Sequence, residues 1–340
     1  MIKITQEEIM QNWGTDNSGV PLVSVKCMTF NHEKYISQAI DGFLMQKTTF
    51  PFEVLIHDDA STDKTADIIR EYEKKFPKIV KGIYETENQF SKGNRLHHIK
   101  INAAIRGKYL AFCEGDDYWI DEKKLQKQVT FLEDNPEYSM CYGKVQQYYE
   151  KEKNFSKVLF GASVSDYKVL IYGRNPVPTL SVCLHRALYQ KFISLELGKD
   201  QNWLMGDYPL WIYLAHDTKI KFMDEVFGVY RILKNSASHS VDITKRIQFQ
   251  KSKNDISNYF CDLYHLPKIP WDENKAVFDI LYLDLMENGY IKEITCQTKN
   301  VYKDIKNKSR RERIIRLAIS CKSIFLLYRK IYYFFRNVRA

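Results

Sequence analysis

The chain has 340 residues, of which 44% are hydrophobic and 27% charged, so it is long enough for one large domain or two with a sizeable core. Its net charge of +9 is concentrated at one end: residues 303–340 hold twelve Lys or Arg and two acids, and the first 302 residues sum to −1. A near-neutral body with a basic end argues against a nucleic-acid-binding domain with a basic face.

The seven cysteines are widely scattered, and no CxxC pair occurs. This spacing indicates neither a zinc knuckle nor a disulfide framework, so we expect free thiols in a reducing compartment. The first ten residues lack the long apolar run of a secretory signal, and we therefore expect a cytoplasmic protein.

The first 120 residues alternate between short apolar runs and amphipathic stretches. Strands are predicted at 22–29, 52–57, 79–84 and 109–114, and helices at 33–46, 64–76 and 97–106. The strands start about 30 residues apart, which is the size of a βαβ unit. The pattern predicts an α/β fold with a Rossmann-like, mostly parallel central sheet.

Two of these strands lead directly into clustered carboxylates. Asp58 and Asp59 follow the second strand, and Glu114, Asp116 and Asp117 follow the fourth. Because ligands of open α/β sheets bind beyond the carboxyl ends of the strands, both clusters are expected to face one crevice. Two adjacent aspartates suit a Mg²⁺ or Mn²⁺ ion that also binds a diphosphate, although the second cluster alone is equally compatible with a solvated acidic turn.

The residues after the first cluster have a structural interpretation. Ser61 or Asp63 can cap the helix at 64–76, and we favour that role over catalysis for both. No GxGxxG or GxxxxGK[ST] motif occurs, which disfavours a dinucleotide or P-loop site. The phosphates of a nucleotide would then be held mainly through the metal.

Asp207 stands just before the apolar stretch 208–215, in the sequence MGDYPLW. Asp is a favourable N-cap, and a carboxylate at a helix end that faces the crevice also suits general-base catalysis. Both roles stay open, and a carboxylate fully occupied by capping would be the poorer base. His239, in the polar sequence SASHS, is either a further metal ligand or a solvated side chain.

The stretch 310–340 is basic and aromatic. In a helical projection Lys322, Arg329, Lys330 and Arg336 share one face, and apolar or aromatic side chains occupy much of the opposite face. This pattern favours a helix lying on an anionic membrane surface, with ~1 kcal/mol from each basic residue; packing on the protein or on a second copy is the alternative. The charges interrupt every 18-residue apolar run, so a spanning helix is not expected.

Three segments, VSVKCMTFNHEKYI, FEVLIHDDASTDKT and GKYLAFCEGDDYWID, resemble in order and spacing the nucleotide-sugar-binding half of family 2 glycosyltransferases with the GT-A fold. Two later segments, MGDYPLW and GVYRILKNSASHS, are similar to the acceptor-side segment and the closing Tyr-Arg loop of that family. The resemblance implies a catalytic domain over residues 1–240, with a nucleotide-binding half at about 20–120 and an acceptor half at about 121–240. A helical extension over 241–309, with helices at about 244–264 and 274–286, and the basic helix over 310–340 would follow.

The resemblance also implies which residues hold the nucleotide. Met28, Thr29, Asn31 and Asp59 would contact the base, and Asp58 would support their loop.

Further roles follow from the same resemblance. Asp117 is similar to the metal ligand that bridges to the diphosphate, with Asp116 on the ribose or the metal, and Glu114 is not expected to bind the metal because the family often has Asp at its position. Asp207 corresponds to the general base of inverting members. Arg95 lies in the loop that crosses the nucleotide, where it contacts phosphate or base or is simply a solvated arginine.

The implied activity is metal-dependent, inverting transfer of a sugar from a nucleotide-diphosphate sugar, taken to be a UDP-sugar, with Mn²⁺ or Mg²⁺ as cofactor. The implied acceptor is a glycan or lipid-linked hydroxyl, in cell-surface polysaccharide synthesis on the inner face of the cell membrane. Two alternatives stay open: a non-catalytic nucleotide-sugar binder on the same fold, which the intact Asp117 and Asp207 disfavour, and a nucleic-acid-associated protein that acts through its basic aromatic tail. The lack of nucleic-acid signatures in the body disfavours the latter, and no nucleic-acid partner is expected.

Overall fold

The computed structural model of the chain describes residues 3–14, 19–92, 99–199, 201–233, 242–272, 276, 279 and 280. These form two compact units, one within Met1–Gln201 and Gly206–Leu233 and the other within Asn202–Met205 and Lys234–Ala340. The domain boundaries expected from the sequence stay predictions, since 281–340 lies outside the described residues.

The first unit alternates helices and strands along most of its length. Its elements are α1 Gln6–Met10, β1 Val23–Thr29, α2 Ile36–Leu44, β2 Phe52–Asp58, α3 Thr65–Lys75, β3 Val80–Tyr84, α4 Ile99–Ala104, β4 Tyr109–Phe112, β5 Tyr118–Trp119, α5 Lys124–Asp134, β6 Tyr138–Tyr149, β7 Asn154–Phe155, α6 Tyr167–Tyr172, β8 Cys183–His185, α7 Arg186–Ser194, α8 Tyr208–Asp217 and β9 Lys219–Ile232. Short 3₁₀ helices span Phe90–Lys92 and Thr179–Ser181.

The predicted elements correspond closely to these bounds, with one instructive difference. The strand predicted at 109–114 ends at Phe112, because the chain then turns: the amide of Asp117 donates to the carbonyl of Glu114 over 3.1 Å. The acids that follow β4 therefore lie in a tight turn between β4 and β5, which is the position where an α/β sheet presents ligand-binding groups.

The nine strands that the structure describes in the first unit belong to one sheet, in the order β3-β2-β1-β4-β8-β6-β9-β5, with β7 paired to β6. Strands β3, β2, β1 and β4 are mutually parallel. Strand β8 runs antiparallel to both β4 and β6, and the long pairing of β6 with β9 is parallel. The longest strand pairings are thus parallel. The prediction of an α/β fold with a mostly parallel sheet is confirmed.

Strand β1 is buried on both faces, as central parallel strands usually are. Val23 and Val25 face a hydrophobic core that includes Phe43 of α2. The opposite face is polar: Ser24 donates to Oε1 of Glu53 over 2.6 Å, and Lys26 is also buried there. This polar layer lies beneath the acidic turn.

The helix α3 begins beside the first acidic cluster. Oδ1 of Asp63 accepts from the amide of Thr65, the first residue of α3, over 2.9 Å, whereas Lys64 at the N-cap position makes no side-chain capping bond. The hydroxyl group of Ser61 instead donates a hydrogen bond to Asp58. Of the two residues predicted to cap α3, Asp63 accepts from the free amide at its start.

The described part of the second unit holds one long helix, α9 Ile243–Leu263, close to the stretch predicted at 244–264. The helix predicted at 274–286 lies outside the described residues except for 276, 279 and 280. Within the part of the chain that the structure describes, no helix has the length and apolar character needed to cross a bilayer.

Candidate active site

The carboxyl ends of β1, β2 and β4 lie at the same edge of the sheet because these strands are parallel. Two backbone hydrogen bonds tie the loops together at this edge. The amide of Gly115 donates to the carbonyl of Met28 over 2.9 Å, and the amide of Asp59 donates to the carbonyl of Thr29 over 3.0 Å. The structure therefore brings the start of the acidic turn against the end of β1, together with residues 58–61, of sequence DDAS, which we call the DDxS loop.

Gly115 allows the acidic turn to approach β1 closely. A Cβ atom at this position would lie 2.6 Å from Oγ1 of Thr29 and 3.0 Å from Nδ1 of His32. Among the described residues, neither of these two buried atoms has a hydrogen-bond partner. Buried polar atoms usually have partners, so these two are exceptions at the edge where the acidic turn meets β1.

The two aspartates of the turn differ in exposure and in their contacts. Asp117 is 2% exposed, and its Oδ1 accepts from the backbone amide of Arg231 over 2.7 Å. The side chain of Asp116 is 20% exposed and its Oδ2 lies 4.0 Å from Nε2 of His32. Asp116 thus offers a carboxylate to the crevice, whereas Asp117 is anchored to β9.

The acids of the turn perturb one another. Burial, followed by the neighbouring Asp116 and Asp207, raises the pKa of Glu114 to about 7. Burial, followed by Asp116 and Glu114, raises the pKa of Asp117 well above its ordinary value. Desolvation and like charges both favour the neutral form of a carboxyl group. The site therefore concentrates negative charge that a bound cation would stabilise.

Lys26 partly balances this charge from below. Its ammonium donates to Oδ1 of Asn102 over 2.8 Å and to the hydroxyl of Tyr189 over 2.9 Å. Burial lowers the pKa of Lys26 to about 7, and Glu114 opposes that shift. A lysine and a glutamate are therefore electrostatically coupled beneath the crevice.

Asp207 is the N-cap residue of α8, one of the two roles that the sequence left open, and it makes a second contact. Its Oδ1 accepts from the amide of Tyr208 over 2.7 Å, and its Oδ2 accepts from the hydroxyl of Thr179. Its effect on Glu114 places it within electrostatic range of the acidic turn. A carboxylate has about four acceptor positions, so two hydrogen bonds leave Asp207 with positions for a further hydrogen bond from a bound hydroxyl.

The carboxylates of the first acidic cluster are largely occupied by hydrogen bonds from two loops. The two carboxylate oxygens of Asp59 accept from the amides of Gln89 and Phe90, over 2.8 and 3.0 Å. Asp58 accepts from both the amide and the hydroxyl of Ser61. In this structure both aspartates order the loops that border the crevice.

Asn31 connects the end of β1 to that loop. Its backbone has a φ of 55°, in the left-handed region that Asn tolerates better than most residues. Its amide donates to Oγ of Ser61 and its Oδ1 accepts from the amide of Thr62, each over 2.8 Å. Asn31 therefore fixes the separation of two loops.

Several site residues were not identified from the sequence. Lys26 and Thr179, on β1 and a 3₁₀ helix, were given no role from the sequence, and Arg231 of β9 was noted only as part of the segment GVYRILKNSASHS. A lysine in the middle of a buried strand is the one signal that could have indicated a functional position. Arg95 and His239 lie outside the described residues, so their roles stay predictions.

The described side chains do not form a closed metal site. Across the described residues, no three His, Cys, Asp or Glu side chains come together as ligands of one ion. Hard divalent cations often use only one or two carboxylates together with substrate phosphates and water. The donor set of Asp116 and Asp117 fits an open site of that kind.

Residues 24–197, more than half of the chain, match the sequence profile of "Glycosyl transferase family 2". An uncharacterized protein of Mycobacterium tuberculosis is 35% identical over 227 residues, covering 66% of this chain and 62% of that protein. This chain thus spans less than two thirds of the length of that relative. The Escherichia coli protein named UDP-Glc:alpha-D-GlcNAc-diphosphoundecaprenol beta-1,3-glucosyltransferase WfgD is 27% identical over 250 residues, covering 72% of this chain and 90% of WfgD.

The crystal structure of residues 1–349 of Staphylococcus aureus TarS in complex with UDP-GlcNAc is similar to this fold. Its TM-score is 0.50 with 18% sequence identity, over 93% of this chain and 91% of that one. At such low identity the similarity concerns the fold alone. It agrees with the GT-A fold class expected from the sequence, and the family match confirms the resemblance on which that expectation was based. The chain belongs to glycosyl transferase family 2.

Proposed function

We propose that the protein transfers a sugar from a nucleotide-diphosphate sugar, a UDP-sugar, to a hydroxyl group of a glycan or lipid-linked acceptor, with inversion at the anomeric carbon. The observation that carries the proposal is the pairing of the acidic turn with Asp207. The side chain of Asp116 is 20% exposed in the turn that follows β4, and Asp207 at the start of α8 is among the charges that raise the pKa of Glu114 in that turn. In this proposal a donor site and a base lie in one crevice.

Asp207 is proposed as the general base. As the acceptor oxygen attacks the anomeric carbon, its proton passes to the Asp207 carboxylate and the bond from carbon to diphosphate breaks. The Thr179 hydroxyl and the Tyr208 amide hold that carboxylate in one orientation. The helix cap therefore supports the catalytic geometry instead of competing with it.

A divalent cation, Mn²⁺ or Mg²⁺, is proposed to be held by Asp116 with Asp117. When bound, the ion would stabilise negative charge on the departing diphosphate. We assign the principal ligand role to Asp116, because its carboxylate is exposed to the crevice, whereas Asp117 is buried and hydrogen-bonded to β9. His239 as a further ligand stays a prediction.

The nucleotide is proposed to lie over the end of β1. Thr29 and His32 present buried polar atoms beside Gly115 that lack partners among the described residues. Met28, Asn31, Asp58 and Asp59 would shape that surface, with Arg95 closing over it. In this proposal the two aspartates of the DDxS loop act mainly by ordering backbone, as their hydrogen bonds indicate.

The acceptor and the cellular site are proposed from relatives and from the sequence. The name of WfgD describes a diphosphoundecaprenol-linked acceptor, which supports a lipid-linked acceptor here. An enzyme that acts on such an acceptor would lie on the inner face of the membrane. In this proposal the basic stretch 310–340 binds it there. Liposomes containing anionic lipid should pellet the full chain but not a chain that ends at residue 309; equal pelleting of both would refute the membrane role of that stretch.

A thermal-shift panel tests the donor site. UDP, GDP, CDP and dTDP are each added with and without Mn²⁺ to the wild type, to Asp116→Asn and to a control, Asp67→Asn, which changes an exposed carboxylate on α3. A ligand present at ~100 times its Kd should add ~2.7 kcal/mol of stability. We expect a metal-dependent shift with UDP that Asp116→Asn loses and Asp67→Asn retains. No shift with any nucleotide would refute the transferase proposal.

A further inference from the structure

Arg231 is almost buried at the edge of the acidic turn. It lies near the end of β9, whose Val229 pairs with Tyr118 of β5, and the residue is 6% exposed. Burying a guanidinium group is costly unless its charge and its N–H groups are satisfied. The contacts of this side chain therefore indicate what its burial achieves.

The guanidinium group connects two segments that are distant in sequence. One nitrogen donates to the backbone carbonyl of Asp116 and another donates to Oε1 of Gln38, on α2. Its central carbon lies 4.9 Å from the ring centre of Tyr35 and 4.7 Å from that of Tyr118. We name Arg231, Gln38, Tyr35 and Tyr118 the arginine cluster. Two aromatic rings and two directed hydrogen bonds hold the planar group in one orientation.

The main chain of Arg231 makes a third hydrogen bond. The amide of Arg231 donates to Oδ1 of Asp117 over 2.7 Å. One residue thus fixes the backbone of the first aspartate and the carboxylate of the second. The carboxylate of Asp116 is left pointing toward the crevice, 4.0 Å from His32.

The geometry points to Arg231 as a positioning residue that, through its cluster, orders the Asp116–Asp117 turn for binding of a metal-diphosphate complex. The inference rests on the proposed function. Groups that orient metal ligands without touching the metal typically change metal affinity 10- to 100-fold when they are mutated. Lysine is a poor substitute, since a single ammonium group cannot reproduce the planar fork that reaches both Asp116 and Gln38.

The test compares four proteins: wild type, Arg231→Lys, Gln38→Met and Arg70→Lys. Arg70 is the matched control, because it also pairs with a carboxylate, that of Asp67 at 2.8 Å, and lies 4.7 Å from the ring centre of Tyr84, but its contacts lie on α3 and β3. Binding of Mn²⁺ in the presence of UDP is measured by calorimetric titration, and thermal unfolding is measured in EDTA. Sugar transfer is then assayed against Mn²⁺ concentration.

We expect Arg231→Lys to weaken Mn²⁺ binding 10- to 100-fold and to raise the Mn²⁺ concentration for half-maximal activity accordingly. Gln38→Met, which retains the arginine and removes one of its acceptors, should weaken binding by a smaller factor and serves as the test if Arg231→Lys does not fold. Arg70→Lys should bind as the wild type does.

Two outcomes separate the inference from the proposed function. If the wild type binds Mn²⁺ with UDP and the two cluster variants bind within twofold of it, Arg231 has only a structural role and the inference is wrong, whatever the change in thermal stability. If the wild type itself binds neither Mn²⁺ nor UDP, the donor-site proposal fails and the inference fails with it.

Discussion

The hydroxyl of Thr179 donates a hydrogen bond to Oδ2 of Asp207, while the backbone amide of Tyr208 donates to Oδ1 of the same carboxylate. Thr179 belongs to the 3₁₀ helix before β8 and Asp207 to the start of α8, so the contact joins two elements that are 28 positions apart in the chain. The capping interaction and the hydroxyl together fix the plane of the carboxylate. A base held in this way loses little freedom when the acceptor binds.

Asp207→Asn should abolish transfer without unfolding the protein. Asparagine is as good an N-cap as aspartate, so stability should change little, but the amide cannot take the proton of the acceptor hydroxyl. Loss of a general base typically costs ~10²- to 10⁴-fold in rate. Initial rates of UDP release with acceptor, together with nucleotide affinity, measure this; we expect kcat to fall and donor binding to be unchanged.

The matched control is Asp166→Asn. Asp166 caps α6 and accepts from the amide of Lys168 over 2.8 Å, so its substitution repeats the chemistry at another helix start. It should retain wild-type activity. Activity in Asp207→Asn above a tenth of the wild-type value would exclude Asp207 as the base.

Local sequence signals predicted the parallel strands and the acidic turn because both depend on nearby residues. Apolar runs spaced like βαβ units located β1, β2, β3 and β4, and clustered acids after an apolar run located the turn. The position of the turn relative to β1 depends on Gly115, whose role is apparent only once its missing Cβ is seen to face Thr29.

The long-range contacts of the site could not be predicted in this way. Gln38 and Arg231 are 193 positions apart in the chain, and the pairing of β9 with β5 brings Arg231 beside the turn. Lys26 likewise becomes a partner of Tyr189, 163 positions away, through packing. No local pattern encodes such contacts, and a buried charge is recognised only when its partners are known.

Gly115→Ala should separate the acidic turn from β1. The added methyl group would lie 2.6 Å from Oγ1 and 2.8 Å from Cβ of Thr29, closer than van der Waals contact allows. Overpacking of this kind typically costs ~1–3 kcal/mol, and Asp116 would move with the turn. Urea unfolding and UDP titration in Mn²⁺ should show lower stability and at least tenfold weaker binding.

Gly14→Ala is the control for that substitution. Among the described residues, its Cβ would meet only the carbonyl oxygen of Thr49, at an ordinary 3.7 Å. Stability and binding should stay close to wild type. If Gly115→Ala binds nucleotide as tightly as Gly14→Ala does, close approach of the turn to β1 is not required for the donor site.

Asp59→Ala should loosen the loop that begins at Gln89. Two backbone amides, those of Gln89 and Phe90, would lose their acceptor, and a typical hydrogen bond contributes ~0.5–1.5 kcal/mol. Hydrogen exchange should therefore be faster at these two amides, with Asp59→Asn intermediate because it retains one acceptor. Unchanged exchange at Gln89 and Phe90 would show that Asp59 does not order this loop. A direct contact of Asp59 with the nucleobase would then be favoured.

Lys26 should make stability depend on pH above neutrality. Burial lowers its pKa in the folded protein to about 7, below that of the unfolded chain, so between pH 7 and 10 the unfolded state binds more protons. The free energy of unfolding of the wild type should therefore rise with pH in that range, by at most ~1.4 kcal/mol per pH unit. Lys26→Met should lack this rise, and urea unfolding at pH 7, 8 and 9 measures the difference.

Lys191→Met, which removes an exposed lysine on α7, should retain the wild-type slope. Glu114 does not obscure the comparison, because its pKa is raised to about 7 and its contribution changes mainly below neutrality. There the sign is opposite: a carboxyl group whose folded pKa is raised loses stability as pH increases toward 7. Equal slopes for wild type and Lys26→Met above pH 7 would mean that Lys26 stays charged in the fold, with Glu114 as a stronger partner than the contacts to Asn102 and Tyr189 indicate.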